Sequence, residues 1–309
     1  MLKALITDNI HEYLEDKLKE FGFEVDVITN ISKEKLVEII SQYHLIVITT
    51  YLKIDKTTID AAKSLKVIAR VGSGLENVDV AYANSKGIAV VNSPEGNANA
   101  VGEHALSMLL NVLNKISISN QAIKNNIWNR EYFRGEELDG KTIGIIGFGH
   151  TGAAFAKKLA GFDVEILVND ILPNKYKTQV DIQQIQSECD VISLHVPYNK
   201  STHHFINDSF INNCHKQPII INTSRGAVVD TLSIIHAIET KKIKGFCVDV
   251  YEDEPIYQNK IHPIEKYHQL INNENVIATP HIAGWTVQSK YKLVKVLWDK
   301  ILPIIKENC

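Results

Sequence analysis

Residues 141–170 read KTIGIIGFGHTGAAFAKKLAGFDVEILVND, and the fold follows from them. An apolar, β-branched run meets Gly147-Phe148-Gly149-His150-Thr151-Gly152; a helical stretch follows, and a second apolar run ends at Asp170. Strand, glycine turn, helix and strand in that order make a βαβ unit with parallel strands. In a GxGxxG turn the first glycine takes the tight bend, the second lets the backbone approach a pyrophosphate, and the third permits close helix–strand packing. Free N–H groups at the helix start, around His150 and Thr151, complete an anion site. Asp170 lies 23 positions after Gly147, placed to accept hydrogen bonds from an adenosine ribose. That carboxylate repels a 2′-phosphate, and the following ILPNKYK offers no arginine and Lys175 as its first cation. The expected cofactor is therefore NAD.

The same alternation extends in both directions. Upstream, 4–7, 24–28, 45–49, 66–71 and 88–92 read as strands, with helical spacing between them. One long helical pattern then spans about 97–127, with no proline and one glycine. Downstream of the glycine turn, strands are predicted at 190–196, 218–224, 243–250 and 275–280, and a final helix at about 287–306. The reading is an α/β protein of two doubly wound parallel-sheet domains, the second a Rossmann dinucleotide-binding domain over 98–280. The first is discontinuous, 1–97 with 281–309, because the last helix has no place in the second series.

Composition excludes other classes. With 309 residues, 45% hydrophobic and 22% charged, the chain can build two cores and carries no signature of disorder. A formal net charge of −3 without a long basic stretch gives nucleic acid nothing broad to grip. No run of about 20 apolar residues offers a membrane span, and Asp8 interrupts the N-terminus too early for a secretory signal. Cys189, Cys214, Cys247 and Cys309 are scattered without metal-ligand spacing, and the adjacent His203 and His204 lack supporting ligands. Reduced thiols, a cytoplasmic location and no metal are expected.

Three further segments, INTSRGAVVD (221–230), CVDVYEDEP (247–255) and ATPHIAGWT (278–286), each pass from a strand into a polar turn, where a doubly wound sheet places its ligands. They present Arg225, Glu254 and His281. With RVGSGLENVD (70–79), the glycine turn, and SLHVP followed by Thr202, the chain resembles the D-isomer-specific 2-hydroxyacid dehydrogenase family over nearly its whole length. The resemblance implies a catalytic domain made from both chain ends and a central nucleotide domain. It assigns Arg225 to the substrate carboxylate, His281 to acid/base work and Glu254 as its partner. It sets Asp249 toward the nicotinamide amide, and His195, Pro197, Thr202 and Thr223 along the cofactor. The backbone N–H groups of Ser73 and Gly74 are assigned to the substrate carboxylate, and the long central helix to a homodimer interface or, equally, an interdomain core.

Those residue types suit the reduction of a 2-keto acid. Hydride reaches carbon while the carbonyl oxygen gains a proton, which an imidazole supplies near neutral pH. A carboxylate beside it stabilises the charged ring and fixes its orientation. An arginine grips a planar carboxylate through two parallel hydrogen bonds.

Within the family, NSPEGNANAVGEHALSMLLNVLNK together with ELDGKTIGIIGFG most resembles the short phosphoglycerate dehydrogenases. Those relatives carry arginines in the loop after the third strand, where this chain reads TTYLKIDK, with Thr49 and Tyr51 at the arginine positions and Lys53 as the nearby cation. With 28 residues after His281, the regulatory C-terminal domain of longer relatives is expected to be absent. The alternatives are a hydroxypyruvate or glyoxylate reductase on the same scaffold, and an NAD-sensing protein like the family's corepressors. Formate dehydrogenases pair the histidine with glutamine, and Glu254 argues against them.

Overall fold

Among the described residues, eleven strands form two sheets. In the computed structural model the described residues are 2–173, 176–177, 179–252, 254 and 267–308; Lys175, Asp253, Pro255 and Cys309, all singled out above, lie outside them. β1 (Leu2–Ile6), β2 (Phe23–Val27), β3 (Leu45–Ile48), β4 (Val67–Arg70) and β5 (Ala89–Asn92) form a parallel sheet in the order β2-β1-β3-β4-β5. β6 (Thr142–Ile146), β7 (Glu165–Asn169), β8 (Val191–Leu194), β9 (Ile219–Asn222), β10 (Gly245–Val248) and β11 (Val276–Ala278) form a second parallel sheet, β11-β10-β9-β8-β6-β7. Each strand overlaps a stretch read from the sequence as a strand; nine lie wholly inside it, while β1 begins two residues and β2 one residue before the stretch. They were legible because strands covered on both faces read as short apolar runs.

Period-two alternation assigns the side chains of the first sheet. Ala4, Ile6, Leu45, Val47, Val67 and Ala69 share one core with Leu14 and Leu18, while Leu5, Ile46, Ile48 and Ile68 share the other with Leu36, Ile59 and Ala83. The last helix, Val287–Asn308, completes the first of these cores through Val294, Leu297, Trp298, Ile301 and Ile305. In the second sheet, Ile143, Ile145, Ile219 and Ile221 face Ala105, Met108, Leu109 and Leu113 of the helix Pro94–Asn114, and Ile146, Ile192, Leu194, Ile220 and Phe246 face the opposite core.

Two expectations are corrected. The pattern over 97–127 is two helices, Pro94–Asn114 and Ile116–Lys124, because Lys115 takes a left-handed backbone with φ +53°. The Asn111 side chain accepts from the Ser117 N–H at 2.9 Å, supplying the partner that a continuous helix would have provided. The second correction concerns a boundary. The chain divides into a unit ending at Asn97 and resuming at Trp285, and a unit Ala98–Gly284, so residues 281–284 stay with the second unit. They are tied there by Asp249, whose carbonyl accepts from His281 N and whose carboxylate accepts from Ile282 N and Ala283 N.

Candidate active site

The strand order of the second unit reverses at β6, flanked by β7 and β8, and open parallel sheets bind ligands beyond the strand ends at such a point. The glycine turn lies there. Gly147 has φ +86°, a conformation that disfavours a side chain, and a Cβ on Gly152 would stand 2.2 Å from the Gly147 carbonyl oxygen. A Cβ on Gly149 would meet nothing within 4 Å, so the folded chain does not crowd that point of the turn. His150 and Thr151 open the helix His150–Lys158 beside it. Asp170, just beyond β7, accepts from Phe148 N at 2.7 Å with one oxygen and from Leu172 N at 2.9 Å with the other. It thus clamps the turn and keeps a free lone pair on each oxygen for ribose hydroxyls. At the end of β9, the Thr223 hydroxyl is buried without a hydrogen-bond partner, a polar group oriented for something that the folded chain does not supply. The residues present fit a dinucleotide.

Beyond β9, β10 and β11 the turns converge. Asn222 is fully buried; its amide donates to Arg225 O at 3.0 Å, and its carbonyl oxygen accepts from Ser224 N and Oγ, fixing the turn that carries Arg225. Glu254 folds back so that Oε1 accepts from Tyr251 N at 2.8 Å, while Oε2 lies 2.5 Å from His281 Nδ1. The Glu254 contact raises the His281 pKa above its usual value, against the lowering effects of burial and of the Arg225 charge. Arg225, Glu254 and His281 therefore belong to one electrostatic cluster. His281 is half-exposed, and with Nδ1 facing Glu254 its Nε2 is the nitrogen open to a substrate.

Residues 106–283 match the family model of the D-isomer specific 2-hydroxyacid dehydrogenase NAD binding domain. The chain belongs to the D-isomer-specific 2-hydroxyacid dehydrogenase family. It is 33% identical to a D-3-phosphoglycerate dehydrogenase of Archaeoglobus fulgidus across 99% of this chain and 58% of that protein, so it spans little more than half the length of that relative. It is 35% identical to a hydroxypyruvate reductase of Thermotoga maritima over 88% of each. The structure of a D-lactate dehydrogenase from Aquifex aeolicus, complexed with NAD and lactic acid, superposes with a TM-score of 0.85 at 29% identity, covering 98% of this chain and 96% of that one.

Several residues that the family pattern singles out have other engagements in this member. His195 is turned into the core, its Nε2 2.9 Å from Ser193 Oγ and its ring against Phe155; burial pushes its pKa down to about 3, so it is neutral. Its carbonyl backs onto Gly147, where a Cβ would sit 2.5 Å away, so it shapes the cradle through its backbone. Thr202 Oγ1 donates to Pro197 O and accepts from Asn199 N, closing the turn after β8, and Pro197 is exposed at the start of that turn. Asp249 is fully buried and its carboxylate accepts from Thr279, Ile282 and Ala283, so it holds the His281 turn.

In the first unit, Ser73 and Gly74 follow β4 at the carboxyl end of the sheet; Ser73 Oγ donates to Asn97 Oδ1 and its carbonyl accepts from Asn92. Thr49 and Tyr51 are not available as hydroxyl donors. Thr49 Oγ1 donates to Asp8 Oδ2 at 2.5 Å, and the Tyr51 hydroxyl donates to the Thr7 carbonyl. Lys53 is exposed. Sequence reasoning passed over Asp8, Asn222, His104 and Thr279. The signal for Asn222 was its place beside the SRG turn; the others act through partners far away in sequence.

Proposed function

We propose that this chain is an NAD-dependent oxidoreductase interconverting a D-2-hydroxy acid and its 2-keto acid. The observation that carries the reading is the His281–Glu254 pair at 2.5 Å beside Arg225, in the unit that also holds the glycine cradle. The glycine turn Gly147–Gly152 and Asp170 would hold a nicotinamide dinucleotide, which in its reduced form would supply the hydride. Arg225 binds the carboxylate through its planar guanidinium and orients the carbonyl. His281 holds a proton at Nε2 and delivers it to the carbonyl oxygen as the alcohol forms. Glu254, fixed by Tyr251 N–H, stabilises the protonated ring and keeps it in place. In the oxidation direction the neutral His281 removes the same proton. Asp170 favours NAD over NADP, since its carboxylate would face a 2′-phosphate.

A phosphorylated substrate is the reading suggested by the phosphoglycerate dehydrogenases among the relatives. An unphosphorylated one, as for a hydroxypyruvate or glyoxylate reductase, is favoured by a specific observation: an acidic side chain, Asp8, sits against Thr49 where an arginine was sought. β1 and β3 are neighbours in an order that reverses at β1, so Asp8 and Thr49 flank the switch point of the first sheet. A carboxylate there repels a phosphate. The test is steady-state NADH oxidation with hydroxypyruvate, 3-phosphohydroxypyruvate, glyoxylate and pyruvate. Turnover of hydroxypyruvate or glyoxylate with little gain from phosphate supports the reading; a phosphate preference of several decades returns it to phosphoglycerate dehydrogenase. No turnover of any keto acid, with NADH still bound, favours an NAD-sensing role.

A further inference from the structure

His281 adopts φ +56°, the left-handed backbone that a residue with a Cβ disfavours. Something must hold it there, and the next two peptide groups show what does. Ile282 N donates to Asp249 Oδ1 at 2.9 Å and Ala283 N to Asp249 Oδ2 at 2.8 Å, while His281 N donates to the Asp249 carbonyl. Asp249 is wholly buried, and a buried carboxylate persists as an anchor only while donors surround it. Among the described residues Thr279 Oγ1 also donates to it, at 2.5 Å from Oδ1, and His104 Nε2 lies 3.7 Å from the same oxygen. A hydroxyl has one hydrogen, and here Asp249 receives it. The 3.0 Å contact between Thr279 Oγ1 and His104 Nε2 must then be donated by His104. His104 comes from the helix Pro94–Asn114, 175 positions before Thr279 in the chain.

Thr279 also touches the other arm of the pair. Its carbonyl accepts from the Tyr251 hydroxyl at 3.1 Å, and Tyr251 N–H is the group that fixes Glu254 Oε1. One threonine is thus the joint between the strut under His281 and the residue that fixes Glu254.

We propose that His104 and Thr279 are positioning residues, holding His281 through the buried Asp249 carboxylate in the backbone conformation that presents its ring to Glu254. As a statement about catalysis this rests on the dehydrogenase reading above; as a statement about the His281 turn it does not. The groups facing His281 are Glu254 and Asp249, which raise its pKa, and Arg225, which lowers it.

The experiment compares Thr279→Val, which keeps the shape and removes the hydroxyl, with Thr279→Ser, which keeps the hydroxyl. His104→Leu and His104→Gln form a second pair, since glutamine keeps an N–H donor. In the ligand-free protein, NMR reads the His281 titration midpoint and the hydrogen exchange of the Ile282 and Ala283 amides. In the presence of NADH and hydroxypyruvate, kinetics reads kcat and the KM for NADH. Thr279→Val and His104→Leu are expected to lower the His281 midpoint, speed exchange of both amides and reduce kcat tenfold or more, the scale of a small misplacement of a reacting group. The NADH KM should stay within about twofold, and Thr279→Ser and His104→Gln should stay near the unmodified protein. Unchanged midpoint and exchange in Thr279→Val and His104→Leu would overturn the proposal, whatever the kinetics. Should Thr279→Val fail to fold, the His104 pair decides. Absence of keto-acid turnover in the unmodified protein would count against the dehydrogenase reading alone, because the NMR arm needs no substrate.

Discussion

His281 Nδ1 stands 2.5 Å from Glu254 Oε2, and this contact is the first cause of the raised His281 pKa. Keto-acid reduction needs the protonated ring, so its kcat/KM should hold up to the His281 pKa and fall above it. That limb is expected above the usual histidine value of about 6.5. Glu254→Gln removes the negative partner and should move the limb to lower pH, with activity lost where the unmodified protein retains it. His281→Ala should lower kcat by about 10²–10⁴-fold and leave NADH binding in place. A pH–rate profile in Glu254→Gln that matches the unmodified protein would remove Glu254 from the proposed role.

Asp170 accepts from the Phe148 and Leu172 amides, and in the proposed function it also meets the adenosine ribose. Asp170→Ala should therefore raise the NADH KM and narrow the preference for NADH over NADPH. Comparison of kcat/KM for both cofactors in both proteins checks this, and equal values in the unmodified protein would contradict it.

The Asp8–Thr49 contact yields a prediction for the substrate. Asp8→Asn removes the negative charge while keeping an acceptor for the Thr49 hydroxyl. It should raise kcat/KM for 3-phosphohydroxypyruvate about tenfold relative to hydroxypyruvate, and less so at high salt, as expected for a partly exposed charge. An unchanged ratio would show that Asp8 does not face the distal group.

Gly226 tests how tightly the Arg225 and Glu254 turns are pressed together. A Cβ there would lie 1.9 Å from the Tyr251 carbonyl carbon, which a rotamer change cannot relieve. Gly226→Ala should cost about 1–3 kcal/mol or more of stability, measured by denaturant melting, and should lower kcat because Tyr251 carries the amide that fixes Glu254. Wild-type stability and kcat together would show that the turns separate easily.

Much of this was legible in the sequence, for identifiable reasons. Strands buried on both faces read as apolar runs, and the glycine turn declares itself through its spacing, with Gly147 needed for a positive φ and Gly152 for a close approach. The helix break at Lys115 was not legible, because lysine carries no signal for a left-handed backbone and the compensating Asn111–Ser117 bond is a tertiary detail. The engagement of the Thr49 and Tyr51 hydroxyls was not legible, because their partners, Asp8 and Thr7, lie 41 and 44 positions away. The inward turn of the His195 side chain was not legible, because a side chain's direction at a strand end is set by its packing, here against Phe155. Asp249 stands out in the sequence within CVDVYEDEP, but its burial under the His281 turn was not legible, because it depends on Ile282 and Ala283 folding back across it.

The interruption of the first unit by residues 98–284 has a consequence for synthesis. On the ribosome, β1 to β5 emerge well before Val294, Leu297 and Ile301, which complete one of that sheet's two cores. At about 5–20 residues per second, nearly 190 residues must be translated in between, a delay of roughly 10–40 s. The central unit has all its strands by then. The first sheet waits with one apolar face partly bare, so the nascent chain's exposure to chaperones and to aggregation is concentrated on that face until the last helix arrives.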